Sequence, residues 1–242
     1  MDESTTRHIV TAFDQDLKAI AAGIAEMGGV AEEQLGNALE AVRTRDNALA
    51  REVVAADVRL DRLEMRLEEA AIQTLALRQP VAGDLRQVVA ALKIASTLER
   101  IGDLAKNIAK RAQYLNDHPP LRVSSSIVRM GRQTQTLFTE TLDAFTARDT
   151  DLAVSVWRRD IEVDEMYNSL FRELITYMME DPRVISLCSQ LLFVAKNLER
   201  IGDHATFIAE MTYFVVEGRP LEDPRPKGDP FGELPDIERD LP

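Results

Sequence analysis

A six-residue string, Leu98-Glu99-Arg100-Ile101-Gly102-Asp103, recurs one hundred residues later as Leu198-Glu199-Arg200-Ile201-Gly202-Asp203. Between residues 95–109 and 195–209, ten of fifteen aligned positions are identical, so the chain must fold as two related halves. Each copy lies in a long Pro-free stretch with apolar residues at three- and four-residue spacing, which predicts a helix through both. Glu and Asp at i and i+4 then project from one helix face and repel each other. The Gly between them costs about 1 kcal/mol relative to Ala. A feature that weakens a helix and appears twice calls for a packing or binding reason.

The helical reading extends to the whole chain. Of its 242 residues 45% are apolar but only 5% aromatic, and strand-like alternation is hard to find. This is an all-α composition. The first helix is expected over about 5–43, with Ile9, Phe13, Leu17, Ile20, Ile24 and Met27 on one stripe and Gly28-Gly29 as a candidate kink. Asp46 is placed to N-cap a second helix running to Arg78, where Gln79-Pro80 stops it. A third spans about 84–115, and Asn116-Asp117-His118-Pro119-Pro120 breaks the chain.

The pattern then repeats. A fourth helix is expected from Ser124 to Arg148, and Asp149 opens a fifth that runs to Glu180. Asp181-Pro182 provides a cap and a first-turn Pro for a sixth that runs to Val216. The prediction is two tandem three-helix bundles, 1–118 and 119–217, followed by a tail at 218–242. That tail holds six of the ten prolines among mixed charges and is predicted to be disordered.

Charge narrows the partners. A net charge of −12 argues against nucleic acid and against direct adsorption to anionic lipid. No apolar run reaches the ~18–20 residues needed to span a bilayer. The polar N-terminus lacks the pattern of a signal segment. The lone Cys188 leaves no intramolecular disulfide or thiolate zinc site. The expected location is cytoplasmic, with any membrane association made through a protein partner.

The acids carry the chemistry. Glu99/Asp103 and Glu199/Asp203 border the packed stripe of the third helix in each half. The second helices add Asp57/Asp61 and Asp160/Asp164. If the two helices of a half pack side by side, four carboxylates converge into a hard-oxygen site for Mg, Mn, Fe or Zn. The competing reading is a surface laced with ion pairs, since Arg100, Arg200 and Lys196 each stand three residues from one of these acids. For Gly102 and Gly202 alone, a close helix crossing is the simpler account. The Glu-x-x-His pattern of di-iron bundles is absent, as are a P-loop and a nucleophile–base arrangement.

These residues resemble the PhoU family of phosphate-transport regulators. The likeness rests on the run from Leu77 to Arg86 (Leu-Arg-Gln-Pro-Val-Ala-Gly-Asp-Leu-Arg), on Ala91-Leu92-Lys93-Ile94, and on both Leu-Glu-Arg-Ile-Gly-Asp motifs. It covers about residues 5–217. The resemblance implies a non-enzymatic, cytoplasmic negative regulator of the phosphate-starvation response and of phosphate uptake. Such a protein would be an adaptor between the phosphate ABC transporter, through its ATPase subunit, and a sensor histidine kinase. Self-association into a homodimer is a further expectation.

The resemblance also implies carboxylate-bound metal, divalent or trivalent, on Glu99, Asp103, Glu199, Asp203, Asp57, Asp61, Asp160 and Asp164. Thr97, Leu104 and Phe207 depart from the family's usual Asp, His and Asn at the motif flanks and leave these acids in place. The alternative function is a metal-carboxylate enzyme acting on phosphate compounds. A bare phosphate sensor is a third reading, but the sequence shows no clustered Arg/Lys pocket for it.

Overall fold

The computed structural model describes residues 3–222, with the side chains of residues 13–222. Its helices are α1 (Glu3–Thr44), α2 (Asn47–Ala56), α3 (Val58–Arg78), α4 (Ala82–Asn116), α5 (Ser124–Ala147), α6 (Thr150–Glu180) and α7 (Ile185–Glu217). There is no strand among the described residues. The disorder expected of the tail concerns residues that lie, from 223 onward, outside the described ones.

The turns between helices follow the sequence signals. Asp46 accepts hydrogen bonds from the amides of Ala48 (2.8 Å) and Leu49 (3.0 Å), and Asp149 accepts from Leu152 (2.9 Å). Each cap follows an Arg in the left-handed region, Arg45 at φ 61° and Arg148 at φ 54°. The same reversal is thus built twice from the same dipeptide. Asp181 caps a short 3-10 turn, Pro182–Val184, that leads into α7.

One expectation is corrected. The single helix predicted from Asp46 to Arg78 divides at Asp57. There the Leu60 amide bonds the Asp57 carbonyl at 2.9 Å and the Asp61 amide reaches it at 3.4 Å, so one turn tightens. α1 runs through Gly28-Gly29 without a break. Gln79 ends α3 where expected, in the left-handed region (φ 49°).

In the first half α1, α2/α3 and α4 pack together, and in the second α5, α6 and α7 do. The halves meet through α4 against α7 and α1 against α5, and one continuous apolar core runs through both. The α1–α5 contact has its own symmetry. A Cβ on Gly28 would lie 2.7 Å from Leu142 Cδ2, and one on Gly131 would lie 2.4 Å from Leu39 Cδ2. Positions 28 and 131 are 103 apart, as are 39 and 142, so the halves cross antiparallel with a glycine of each receiving a leucine of the other. On the α4–α7 side the Arg111 guanidinium donates to Gln190 Oε1 (2.6 Å) and stacks 4.2 Å over the Phe193 ring.

Candidate functional site

In both halves the acids lie where the motif helix meets its neighbour. In the first half, α4 brings Glu99 and Asp103 against the α2/α3 junction. Gly102 allows the approach: a Cβ there would fall 2.2 Å from Leu60 Cδ2 and 2.9 Å from Gln34 Oε1. The Lys106 ammonium, one turn beyond the motif, donates to Asp103 Oδ1 (2.6 Å) and to Asp57 Oδ2 (2.5 Å). Burial opposes its charge, yet these two bonds hold Lys106 above the usual lysine range. Asp57 is itself buried.

Glu99 is half-buried and lies within the field of the other acids. Burial first, then the charges of Asp103, Glu64, Asp61 and Asp57, push its carboxyl up to about 7. Glu64 is raised as well, by burial and then by Glu68, against a hydrogen bond from Ser96 that lowers it. The four acids expected in this half therefore sense one another electrostatically, and a fifth, Glu64, joins them.

In the second half Gly202 admits Asp160: a Cβ on the glycine would fall 2.8 Å from Asp160 Oδ1. Asp160 is buried, at 1% exposure. Lys196 donates to Glu199 Oε1 at 2.7 Å, the ion pair expected from spacing, while Glu199 Oε2 is buried with no hydrogen-bond partner. Burial raises the Glu199 carboxyl, Lys196 lowers it, and the charges of Asp203 and Asp164 raise it again. The halves differ at one telling position. Where the first has Lys106 the second has Thr206, whose hydroxyl donates to the Gly202 carbonyl at 2.9 Å.

Sequence reasoning missed Glu64, Lys106 and the buried Gln34. Glu64 continues the row of Asp57 and Asp61 at +7 and +3, a signal that was legible. Arg100 was the cation expected on Asp103, but the bond is made by Lys106, three residues after the acid rather than before it. Among the described residues no group of three or more His, Cys, Asp or Glu side chains is arranged to hold a metal ion. No described helix is long and apolar enough to cross a membrane.

Two three-helix units sharing one core, each with an acidic cluster at a glycine-spaced crossing, define a tandem-repeat helical protein. The PhoU domain matches twice, at residues 24–112 and 127–212, and the chain belongs to the PhoU family. The phosphate-specific transport system accessory protein PhoU homolog of Caulobacter vibrioides is 52% identical over 225 residues, 93% of this chain and 98% of its own. The homolog of the same description from Rhizobium meliloti is 45% identical, covering 92% of this chain and 94% of its own. Among solved structures, PhoU from Pseudomonas aeruginosa matches with a TM-score of 0.84 at 39% identity, covering 86% of this chain and all of that one. The phosphate transport system regulatory protein PhoU from Streptococcus pneumoniae matches with a TM-score of 0.80 at 26% identity, covering 87% and 99%.

Proposed function

We propose that this chain is a cytoplasmic accessory protein of a phosphate-specific transport system. In this reading it represses phosphate uptake and the phosphate-starvation response by linking the transporter's ATPase subunit to a sensor histidine kinase. One observation carries the proposal: the match to accessory proteins of that system spans nearly the full length of both chains. An adaptor needs surface and no turnover, and the chain carries a net charge of −12. An excess of negative charge steers association with basic patches, and the steering weakens as salt rises. Membranes containing the phosphate transporter or its sensor kinase should retain the protein, and membranes lacking both should not. Equal retention on protein-free anionic vesicles would refute partner-mediated binding.

Metal on the acidic clusters belongs to the same proposal. The donor types, all carboxylate oxygens, suit a hard cation, and binding one would have to draw the acids together, since among the described residues no three are arranged to hold an ion: Glu199 presents a buried carboxylate oxygen with no hydrogen-bond partner, and Glu99 is crowded by four other acids. Glu99, Asp103, Asp57 and Asp61 would hold an ion in the first half, and Glu199, Asp203, Asp160 and Asp164 would hold one in the second. A bound ion would neutralise clustered charge and tie two helices of a half together. In the first half Lys106 already does part of this, as a cation built into the chain. We assign the clusters no catalytic role.

A further inference from the structure

An apolar cavity of about 260 Å³ opens at one end of the molecule, walled by both halves. Ile20 and Ile24 of α1, Ala91 of α4, Phe145 of α5 and Val215 of α7 line it. An engineered apolar cavity of about 150 Å³ holds a benzene ring, so this one has room for a ring and a short alkyl chain. No Asp or Glu is among its lining residues, in a chain of net charge −12. The two threonines in its wall spend their hydroxyl protons within their own helices. Thr146 donates to the Leu142 carbonyl (2.8 Å) and Thr212 to the Ile208 carbonyl (2.9 Å). The donors that remain are the exposed Arg148 guanidinium and the amide N–H groups of Gln87, whose Oε1 accepts from Arg148 at 2.8 Å.

The repeat shows that this polar mouth is not a requirement of the fold. At the opposite end of α1 a pocket of about 210 Å³ is built from the equivalent positions. There Val42 stands for Phe145, Arg45 for Arg148, Leu187 for Gln87 and Leu191 for Ala91. Arg45 donates to the carbonyls of Asn116 (2.6 Å) and His118 (2.5 Å) and so ties down the segment that follows α4. Arg148 makes no such backbone bond and no ion pair among the described residues; its bond is to a neutral amide. Relative to its counterpart, then, the larger cavity gains room by Ala91, an amide by Gln87 and a guanidinium released from structural duty.

We propose that this cavity binds a small amphiphilic carboxylate, its apolar body between the halves and its carboxylate on Arg148 and Gln87. A guanidinium and an amide offer N–H donors to both oxygens of one carboxylate and balance a single charge. Apolar walls with a few polar groups at one edge are the usual form of a small-molecule site. Because α1 and α4 supply one side and α5 and α7 the other, an occupant clamps the seam between the halves.

The probe is phenylbutanoate, titrated into the full-length protein with methyl-labelled isoleucine and, in parallel, by calorimetry. It should bind saturably with a Kd below about 1 mM, shift the Ile20 and Ile24 methyl resonances and leave Ile94, which lies away from the cavity, unmoved. Neutral phenylbutanamide should bind about fivefold more weakly, and cationic phenylbutylamine more weakly still. Arg148→Gln should erase that preference, leaving acid and amide within about twofold of each other. Ala91→Leu, which installs the residue its counterpart carries, should weaken acid and amide alike by at least about tenfold. Ala25→Val, after the equivalent Val128, repeats the test from α1 should Ala91→Leu fail to fold. Absence of saturable phenylbutanoate binding, or binding that leaves Ile20 and Ile24 unmoved, would overturn the proposal. So would a preference for the acid that survives Arg148→Gln, or an unchanged affinity in a folded cavity-filled variant.

Discussion

At the scale of single residues, Glu99 decides how the protein should respond to pH. Its carboxyl stands at about 7 in the fold against an ordinary 4.5, because burial and four neighbouring acids disfavour its charge. A carboxyl raised by folding favours the folded state while it is protonated. Its contribution is therefore fully present below about 4.5 and is lost as pH rises through about 7. Glu199 is raised in the same direction and adds to the trend. Melting temperature should thus fall between pH 5 and pH 8, and Glu99→Gln, neutral throughout, should flatten much of that slope. A parallel pair of curves would mean that Glu99 is charged at no cost. The convergence of the acids was legible in the sequence, because i, i+4 pairs on adjacent helices must share a seam if the helices pack. The identity of the countercharge was not. Arg100 and Lys106 are both three residues from Asp103, and the choice went to Lys106, which also reaches Asp57 across the crossing.

At the scale of the helix, Gly28 and Gly29 are neighbours in one element with opposite expected behaviour. Both tax α1 by about 1 kcal/mol relative to Ala. A Cβ on Gly29 meets nothing within 4 Å, whereas one on Gly28 runs into Leu142 at 2.7 Å. Gly29→Ala should therefore stabilise the protein by up to ~1 kcal/mol. Gly28→Ala should destabilise it by about 1 kcal/mol net, because overpacking costs roughly 1–3 kcal/mol. In a chain of this size each kcal/mol moves the melting temperature by about 2–4 °C, so paired thermal melts resolve the two variants. If both substitutions stabilise, α1 and α5 are not in close contact at that point. The helices were largely readable from periodicity and from Asp caps. The role of the glycine pair was not, because a kink and a close crossing leave the same mark on a sequence. Only the matched contact of Gly131 with Leu39 tells them apart. The division at Asp57 was not legible either: no Gly or Pro marks it, and it shows only in the backbone bonds of Leu60 and Asp61 to the Asp57 carbonyl.

At the scale of the whole molecule, both acidic clusters hang on one continuous core, so an ion bound at either should stabilise the entire chain. An ion at 100 times its dissociation constant contributes about 2.7 kcal/mol, which is about 5–10 °C for a protein this large. The clusters should not fill alike. In the first, an ion must compete with Lys106 for Asp57 and Asp103 and with a proton on Glu99, so its affinity should drop as pH falls below about 7. In the second, Thr206 stands where Lys106 would be, and Glu199 Oε2 is already bare of hydrogen bonds. With Mg, Mn, Fe or Zn at neutral pH, the second cluster should therefore load first. Replacing Glu199 and Asp203 together by Ala should remove the tighter component of a calorimetric titration, and Lys106→Ala should strengthen the weaker one. If no metal raises the melting temperature, or if the Glu199/Asp203 double variant titrates like the unaltered protein, the acids are an ion-paired seam. Lys106 and Lys196 then already serve as countercharges for the clusters.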